Sequence, residues 1–415
     1  MQFEQLNIIE PIIKALKEQN YTEPTAIQEK AIPLVLQRLD LLASAQTGTG
    51  KTAAFAIPII QLLHTDRLEN KNSRQIRALV LTPTRELAIQ IAENFTHYSK
   101  HVGIKNTVIF GGVNQHHQVE AIHKGVDVLI ATPGRLLDLM NQRLIQLKDI
   151  QYFVLDEADR MLDMGFINDI KKVLAVLPAK RQSLFFSATL PNNIVELSQK
   201  ILINPEKVEV SPVSSTAHTI QQFMYYTNKG TKKSLLFHIL KNKDIDQVLL
   251  FCKTKHGADK IVDNLKKQGV VSAAIHGDKA QNQRQKALNL FKNKEIRVLV
   301  ATDIAARGID IDKLKYVINY DIPNQPETYV HRIGRSGRAG EEGIAISICE
   351  PEENEFVKDI EKLINLKINL AKENPYPQTE NPMNAAQKKE SEKEKNKQKQ
   401  AFFDAKRKKE GTQRR

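Results

Sequence analysis

Strand-length apolar runs alternate with amphipathic segments long enough for helices, first from residue 39 to 210 and again from 222 to 348. This rhythm restricts the fold more than any other feature of the chain. The first block carries runs at 39–43, broken only by Asp40, and at 78–81, 107–110, 126–130, 152–155, 183–186 and 207–210. The second carries runs at 222–226, 248–252, 270–275, 297–301, 316–320 and 344–348. Parallel strands need a long crossover, usually a helix, and a sheet covered on both faces is apolar along whole strands instead of at every second residue. Continuous runs separated by helices therefore predict an α/β protein built on parallel sheets. Ser211-Pro212-Val213-Ser214-Ser215-Thr216 interrupts the rhythm. The expected organisation is a first domain over 1–210, a linker over 211–219 and a second domain over 220–370. No identity repeat links the blocks, so any duplication would exist in structure alone.

After Leu370 apolar residues become scarce, and a Lys/Glu/Gln-rich stretch cannot bury enough surface to order itself. Residues 371–415 are expected to form a disordered basic tail. From Lys372 onward the chain holds 13 Lys+Arg against 7 Asp+Glu, about half of its net charge of +13. A basic excess shared between tail and folded blocks points to a polyanion, and the tail suits a salt-sensitive tether on RNA. Phe402-Phe403 within it reads equally as a docking element or a stray aromatic pair. The longest apolar runs are too short for a membrane-spanning helix. Met1 is followed by Gln2-Phe3-Glu4-Gln5, without the basic and apolar regions of a secretory signal. Cys252 and Cys349 each end a strand-like run and read as buried thiols, without metal-ligand spacing. A monomeric cytoplasmic protein is the expectation.

The clusters that carry chemistry lie just after the strand-like runs, the edge at which open parallel sheets bind ligands. Between the first run and a helix-compatible segment at 53–63 stands Ala45-Gln46-Thr47-Gly48-Thr49-Gly50-Lys51-Thr52. Strand, Gly-rich turn, Lys-Thr and helix make a phosphate-cradling loop, in which backbone N–H groups and the helix N-terminus meet the anion. Lys51 would reach the β/γ-phosphates, and the Thr52 hydroxyl would ligate Mg2+. The general pattern has Gly where this chain has Ala45. Past the run at 152–155 stand Asp156-Glu157-Ala158-Asp159. Carboxylates capping a buried strand are costly unless they meet a cation. Asp156 is therefore expected on Mg2+ opposite Thr52, and Glu157 on an attacking water. Without the phosphate loop the same acids would merely suit a helix dipole. The amide of Gln28 complements the N7 acceptor and N6 donor of adenine, although alone it reads as an exposed helix residue. His331-Arg332-Ile333-Gly334-Arg335-Ser336-Gly337-Arg338 is either a solvated basic loop or a set of guanidiniums that reach the γ-phosphate from across a cleft.

In this order and spacing the residues resemble the DEAD-box RNA helicases over nearly the whole folded chain. Phe3, Tyr21, Pro24, Thr25 and Gln28 resemble the family's adenine-recognising Q motif, and Ala45 to Thr52 matches the family's own loop, which carries Ala at its first position. Pro83, Thr84, Arg85, Glu86 and Leu87, then Gly111 and Gly112, then Thr132, Pro133, Gly134 and Arg135 resemble the first-domain RNA contacts. Asp156 to Asp159 is the box that names the family, and Ser187-Ala188-Thr189 resembles the segment that couples hydrolysis to RNA. Thr254, His276, Gly277, Asp278, Gln281, Arg284, Thr302 and Arg307 resemble the second-domain RNA contacts. The tract 159–166 is similar to the bacterial RhlE-type branch.

The resemblance implies two tandem RecA-like domains, open when unliganded and closed on ATP and single-stranded RNA. It also places Asp310 on the nucleotide ribose, Arg335 and Arg338 as arginine fingers, and His331, Asp159, Ser187 and Thr189 as couplers between domains. Short Thr-, Gly- and Arg-rich RNA motifs suit sequence-independent contacts to phosphate and ribose, with the 2′-OH separating RNA from DNA. The implied activity is ATP hydrolysis that unwinds short duplexes or remodels RNA–protein complexes, with ATP and Mg2+ as cofactors and ribosomal or RNA-degradation assemblies as possible settings. The same motifs would serve an ATP-gated RNA clamp, and the fold alone would also serve a DNA helicase or transport ATPase.

Overall fold

A computed structural model of the chain describes residues 2–45, 48–69, 75–210, 220–306, 314–337 and 343–382. Gln46, Thr47, Arg307, Asp310, Arg338, the linker at 211–219 and the tail from 383 lie outside the described residues.

Strands β1 (Leu41–Ala45), β2 (Ala78–Leu81), β3 (Asn106–Ile109), β4 (Val128–Ala131), β5 (Tyr152–Leu155), β6 (Gln182–Ser187) and β7 (Glu206–Val210) form one sheet in the order β3-β4-β2-β5-β6-β1-β7. Strands β8 (Ile220–Tyr226), β9 (Val248–Phe251), β10 (Ser272–Ile275), β11 (Val298–Ala301), β12 (Tyr316–Asn319), β13 (Gly343–Cys349) and β14 (Asn369–Leu370) form the second, in the order β10-β11-β9-β12-β13-β8-β14. The described pairings are parallel, as the two-domain RecA-like reading requires. Adding seven to each strand number converts the first order into the second. The duplication that identities hide is complete in topology.

Every strand-like run became a strand, with ends shifted by at most two residues. The first shows why. β1 starts at Leu41, because Asp40 is buried and used as a staple: its Oδ1 accepts from Ser183 N–H (2.8 Å) and its Oδ2 from Ile203 N–H (2.7 Å). The central strands bury both faces. Val80, Val154 and Phe186 enter one core, where the Phe55 and Phe186 rings lie 5.3 Å apart, while Leu81, Leu155 and Phe185 enter the opposite one. The second sheet repeats this, with Leu250 and Val300 on one side and Leu249 and Leu299 on the other. No helix among the described residues is long and apolar enough to cross a membrane.

One boundary changes. Residues 371–382, grouped by composition with the tail, run along the end of β8 as a strap. Ala371 N–H donates to Met224 O (3.0 Å), Asn374 Nδ2 to Tyr226 O (2.8 Å) and Thr227 Oγ1 to Tyr376 O (2.8 Å). Thr379 and Glu380 N–H groups both donate to Asn228 Oδ1, at 2.9 and 3.0 Å, and Tyr376 packs on the core. Composition missed the strap because backbone and amide hydrogen bonds hold it, with one aromatic ring as the apolar anchor.

Candidate functional site

The phosphate loop leaves β1 and enters the helix Lys51–Glu69. Gly48 and Gly50 have φ of 82° and 92°, in the region that favours glycine. A Cβ on Gly50 would stand 2.3 Å from Gln28 Nε2, so the loop also needs glycine for space. Gln28 is 2 % exposed, not a surface residue. Its Nε2 donates to Gly50 O (3.1 Å) and its Oε1 accepts from Thr25 N–H (3.0 Å), while Thr25 Oγ1 donates to Thr49 O (2.8 Å). Thr25 and Gln28 thus hold the loop, and the Gln28 amide keeps one hydrogen and one lone pair for a base. Lys51 is buried and donates to Ala45 O (2.8 Å). Phe3 is buried in the core, and both it and the half-exposed Tyr21 border a shallow open depression.

Asp156 follows β5 directly and is buried. Its Oδ1 has no hydrogen-bond partner among the described residues. Burial pushes its carboxyl up to about 7, with Lys51 opposing and Glu157 adding to the rise. A buried carboxylate oxygen left without a donor is the kind of group a cation satisfies. Thr52, in the first turn of the facing helix, adds a hydroxyl. The described residues contain no cluster of three His, Cys, Asp or Glu that could cage a metal. One carboxylate and one hydroxyl fit Mg2+ instead, which keeps several waters and takes substrate phosphates.

Glu157 has φ 54° and begins the short helix Ala158–Asp163. Its Oε2 is 2.6 Å from Arg160 Nη1, and both side chains are buried. Asp159 Oδ2 accepts from both the N–H and the Oγ1 of Thr189 (3.2 Å each), and Ser187 Oγ donates to Thr189 O (2.7 Å). Three of the four expected couplers, Asp159, Ser187 and Thr189, therefore form one network. Beside it, Arg160 of the first domain borders a small cavity with Phe251, Asp303, His331, Arg332 and Arg335 of the second. Arg332 itself is committed to its own domain: it forks onto Asp303 at 2.5 and 2.7 Å, donates to Asp321 O and lies over the Phe251 ring.

The expected RNA residues occupy the other half of each sheet. Pro83 is buried after β2, and Thr84 caps the helix Arg85–Tyr98, with Oγ1 accepting from Leu87 N–H (3.3 Å). Thr254, after β9, caps the helix Lys255–Lys267 through Gly257 N–H (3.0 Å). These two threonines are topological equivalents. Thr132 and Thr302 follow β4 and β11 and form a second pair, and Pro133 starts the helix Pro133–Asn141. The Arg85 guanidinium lies on the turn of Gly111 and Gly112, where a Cβ on Gly112 would stand 2.4 Å from Nη1. Arg135 donates to Val113 O (2.9 Å) and Gln118 Oε1 (3.2 Å). Gly134 and Gly277 border open space, His276 pairs with Asp259 at 3.1 Å, and Asp278 with Lys255 at 2.6 Å.

Gln281 and Arg284, expected on RNA, meet a first-domain carboxylate in this structure. Gln281 Nε2 donates to Glu86 Oε1 at 3.0 Å, and Arg284 Nη2 lies 2.9 Å from the same atom. The sequence motifs leave Arg160 without a role and group Glu86 with the RNA contacts, without its partners. For Arg160 the signal was present: three carboxylates within four buried positions need a cation, and Arg160 is the next residue. For the partners of Glu86 there was none, because they are about 200 positions away.

A family profile described as DEAD/DEAH box helicase matches residues 25–197, and one described as helicase conserved C-terminal domain matches 231–340. The ATP-dependent RNA helicase CshA of Limosilactobacillus reuteri is 40% identical over 368 residues, 89% of this chain and 73% of that protein. A solved DEAD box protein from Methanococcus jannaschii is 41% identical, covers 90% of this chain and 99% of its own, and superposes with a TM-score of 0.53. Saccharomyces cerevisiae Dbp5 bound to RNA and ADP BeF3 is 31% identical, covers 89% and 95%, and superposes with a TM-score of 0.79. With its loop, its acidic box and both sheets accounted for, the chain belongs to the DEAD-box ATP-dependent RNA helicases.

Proposed function

We propose that the chain hydrolyses ATP in the cleft between its two domains and uses the closure of that cleft to unwind short RNA duplexes. The observation that carries this reading is Glu86 of the first domain held by Gln281 and Arg284 of the second, which brings the loop-bearing edges of both sheets together. The superposition supports the same arrangement. A 31% identical protein carrying RNA and ADP BeF3 fits better over both domains than a 41% identical one.

In this reading Gln28 reads the adenine edge, and the N–H groups of the loop with Lys51 bind the phosphates. Thr52 and Asp156 would hold Mg2+, which when bound neutralises charge on the β- and γ-phosphates. Glu157 accepts the proton of a water whose oxygen attacks the γ-phosphorus as the bond to the β-phosphate oxygen breaks. Arg335 and Arg338 stabilise the charge that develops on the transferred group. Thr84, Thr132, Thr254 and Thr302, with Arg85, Arg135 and the open glycines, bind the RNA backbone without reading bases. The tract 159–166 supports the RhlE-type branch, and the two buried thiols a reducing cytoplasm.

Strand displacement on a short RNA duplex with a single-stranded overhang tests the proposal. Displacement that needs ATP and fails in Glu157→Gln is the expected result. ATP-dependent RNA retention without displacement would make the chain a clamp.

A further inference from the structure

We propose that Arg160 is a positioning residue for the hydrolytic step: it fixes one oxygen of Glu157, presents the other to the attacking water, and ties that arrangement to the second domain. This rests on the base role of Glu157 proposed above. The box that names the family ends at Asp159, so the motif itself leaves Arg160 without a role.

Four observations converge on it. Nη1 lies 2.6 Å from Glu157 Oε2, which leaves Oε1 for a water. The ion pair is formed in the interior, where a guanidinium–carboxylate contact is screened least. Glu157 has a φ of 54°, which a non-glycine residue rarely adopts and which persists when its surroundings over-determine it. Arg160 supplies one of those constraints. Its own N–H donates to Asp159 Oδ1 (3.1 Å), and the other Asp159 oxygen is held by Thr189. The couplers and the base are thereby joined through one residue, its backbone on Asp159 and its side chain on Glu157.

The second arm points to the link between domains. Arg160 Nη2 is buried without a hydrogen-bond partner among the described residues. A buried N–H in that state costs free energy, and in native proteins such groups nearly always meet a protein acceptor or an ordered water. Arg160 borders the same cavity as His331 and Arg335 of the second domain. A change in the second domain therefore reaches the base through the guanidinium plane, which a lysine cannot reproduce because it lacks the rigid fork. An ordinary i,i+3 ion pair on a helix would stabilise the fold alone, so the test must separate chemistry from folding.

The experiment measures kcat and KM for ATP with saturating RNA, alongside thermal unfolding, in wild type, Arg160→Gln, Arg160→Lys and Glu157→Gln. Arg160→Gln is expected to lower kcat by about tenfold to a hundredfold, the loss that follows from a misplaced catalytic group. KM for ATP should hold within about twofold, because ground-state binding is untouched. Arg160→Lys, which keeps the charge and one donor, should recover part of the rate and protects the test against an unfolded Gln variant. Wild-type kcat in Arg160→Gln, or equal losses in the Lys and Gln variants, overturns the positioning role. Turnover persisting in Glu157→Gln would instead remove the base assignment on which it rests.

Discussion

Lys51 and Lys232 occupy the same place in two copies of one topology. Each is the first residue of the helix that follows the first strand of its sheet, β1 or β8. Asp156 follows β5, and Asp321 follows the corresponding β12. What surrounds the lysines differs. Lys232 Nζ lies 2.9 Å from Asp321, 3.1 Å from Glu350 and 3.4 Å from Glu353, and 4.9 Å over the Tyr320 ring. Burial alone would lower its pKa, but the three carboxylates hold it above the ordinary lysine range. In the first domain Lys51 meets a backbone carbonyl, and the acid across the site keeps an oxygen without a donor. The fold offers a lysine at a helix N-terminus in both domains. In the second domain the protein supplies the anion itself, whereas the role proposed for Lys51 leaves that place to a phosphate.

The largest expected effect comes from removing each lysine. Lys51→Ala should lower RNA-stimulated ATP hydrolysis by about a hundredfold or more, as for the loss of a donor to transition-state charge. Lys232→Ala should instead destabilise the second domain by about 3 kcal/mol, because it leaves the buried Glu353 and the half-buried Asp321 and Glu350 without their cation. Steady-state assays with urea unfolding separate the two. A Lys232→Ala protein of unchanged stability would break the comparison, since the carboxylates would then not depend on the lysine.

Titration of Asp156 sharpens it. The folded carboxyl is pushed up to about 7 from an unfolded value near 3.8, so between these pH values the native state keeps a proton that the unfolded chain has lost. Its contribution to stability is fully present below about pH 4 and is lost as pH rises through about 7. Thermal midpoints of nucleotide-free protein from pH 5 to 8 should therefore fall less steeply in Asp156→Asn than in wild type. Asp321→Asn gives no such relief, because it removes a partner from Lys232 and should lower the midpoint at neutral pH. Hydrolysis runs opposite to stability at Asp156, since binding a cation there needs the ionised carboxylate. Equal slopes in wild type and Asp156→Asn would show that the carboxyl titrates normally.

Much of this was legible in the sequence because strand ends and phosphate loops are local. The runs from Ala78 to Leu81 and from Tyr152 to Leu155 coincide with β2 and β5, and the residues after β1, β2, β4 and β5 announce their chemistry within a few positions. Contacts set by topology were not legible. Glu86 meets Gln281 and Arg284 across about 200 residues, and Lys232 gathers acids from the ends of two strands, β12 and β13. Gln28 looked exposed because helical periodicity shows one face of a helix and cannot show a loop laid over the other. The contact of Gln281 and Arg284 with Glu86 was not legible because a motif names a residue's usual company, not the carboxylate that docking brings to it.

The two sheets also differ at their last strands, and the smallest effect tests that difference. β7 has five residues, whereas β14 has two, and the strap at 371–382 continues its attachment along β8. Removing 383–415 should leave the thermal midpoint unchanged and weaken RNA binding at low salt with a shallower salt slope, because lost Lys and Arg release fewer counterions. Removing 371–415 should weaken RNA binding to the same extent and, in addition, lower the midpoint by about 2–4 °C for each kcal/mol of lost strap contacts. Tyr376 and the Asn228 hydrogen bonds are the contacts at stake. Both truncations are compared by RNA binding from low to high salt and by thermal unfolding. Identical midpoints would mean that the strap is only a path to the tail. A lower midpoint in the longer deletion alone makes it the second domain's substitute for the longer edge strand of the first.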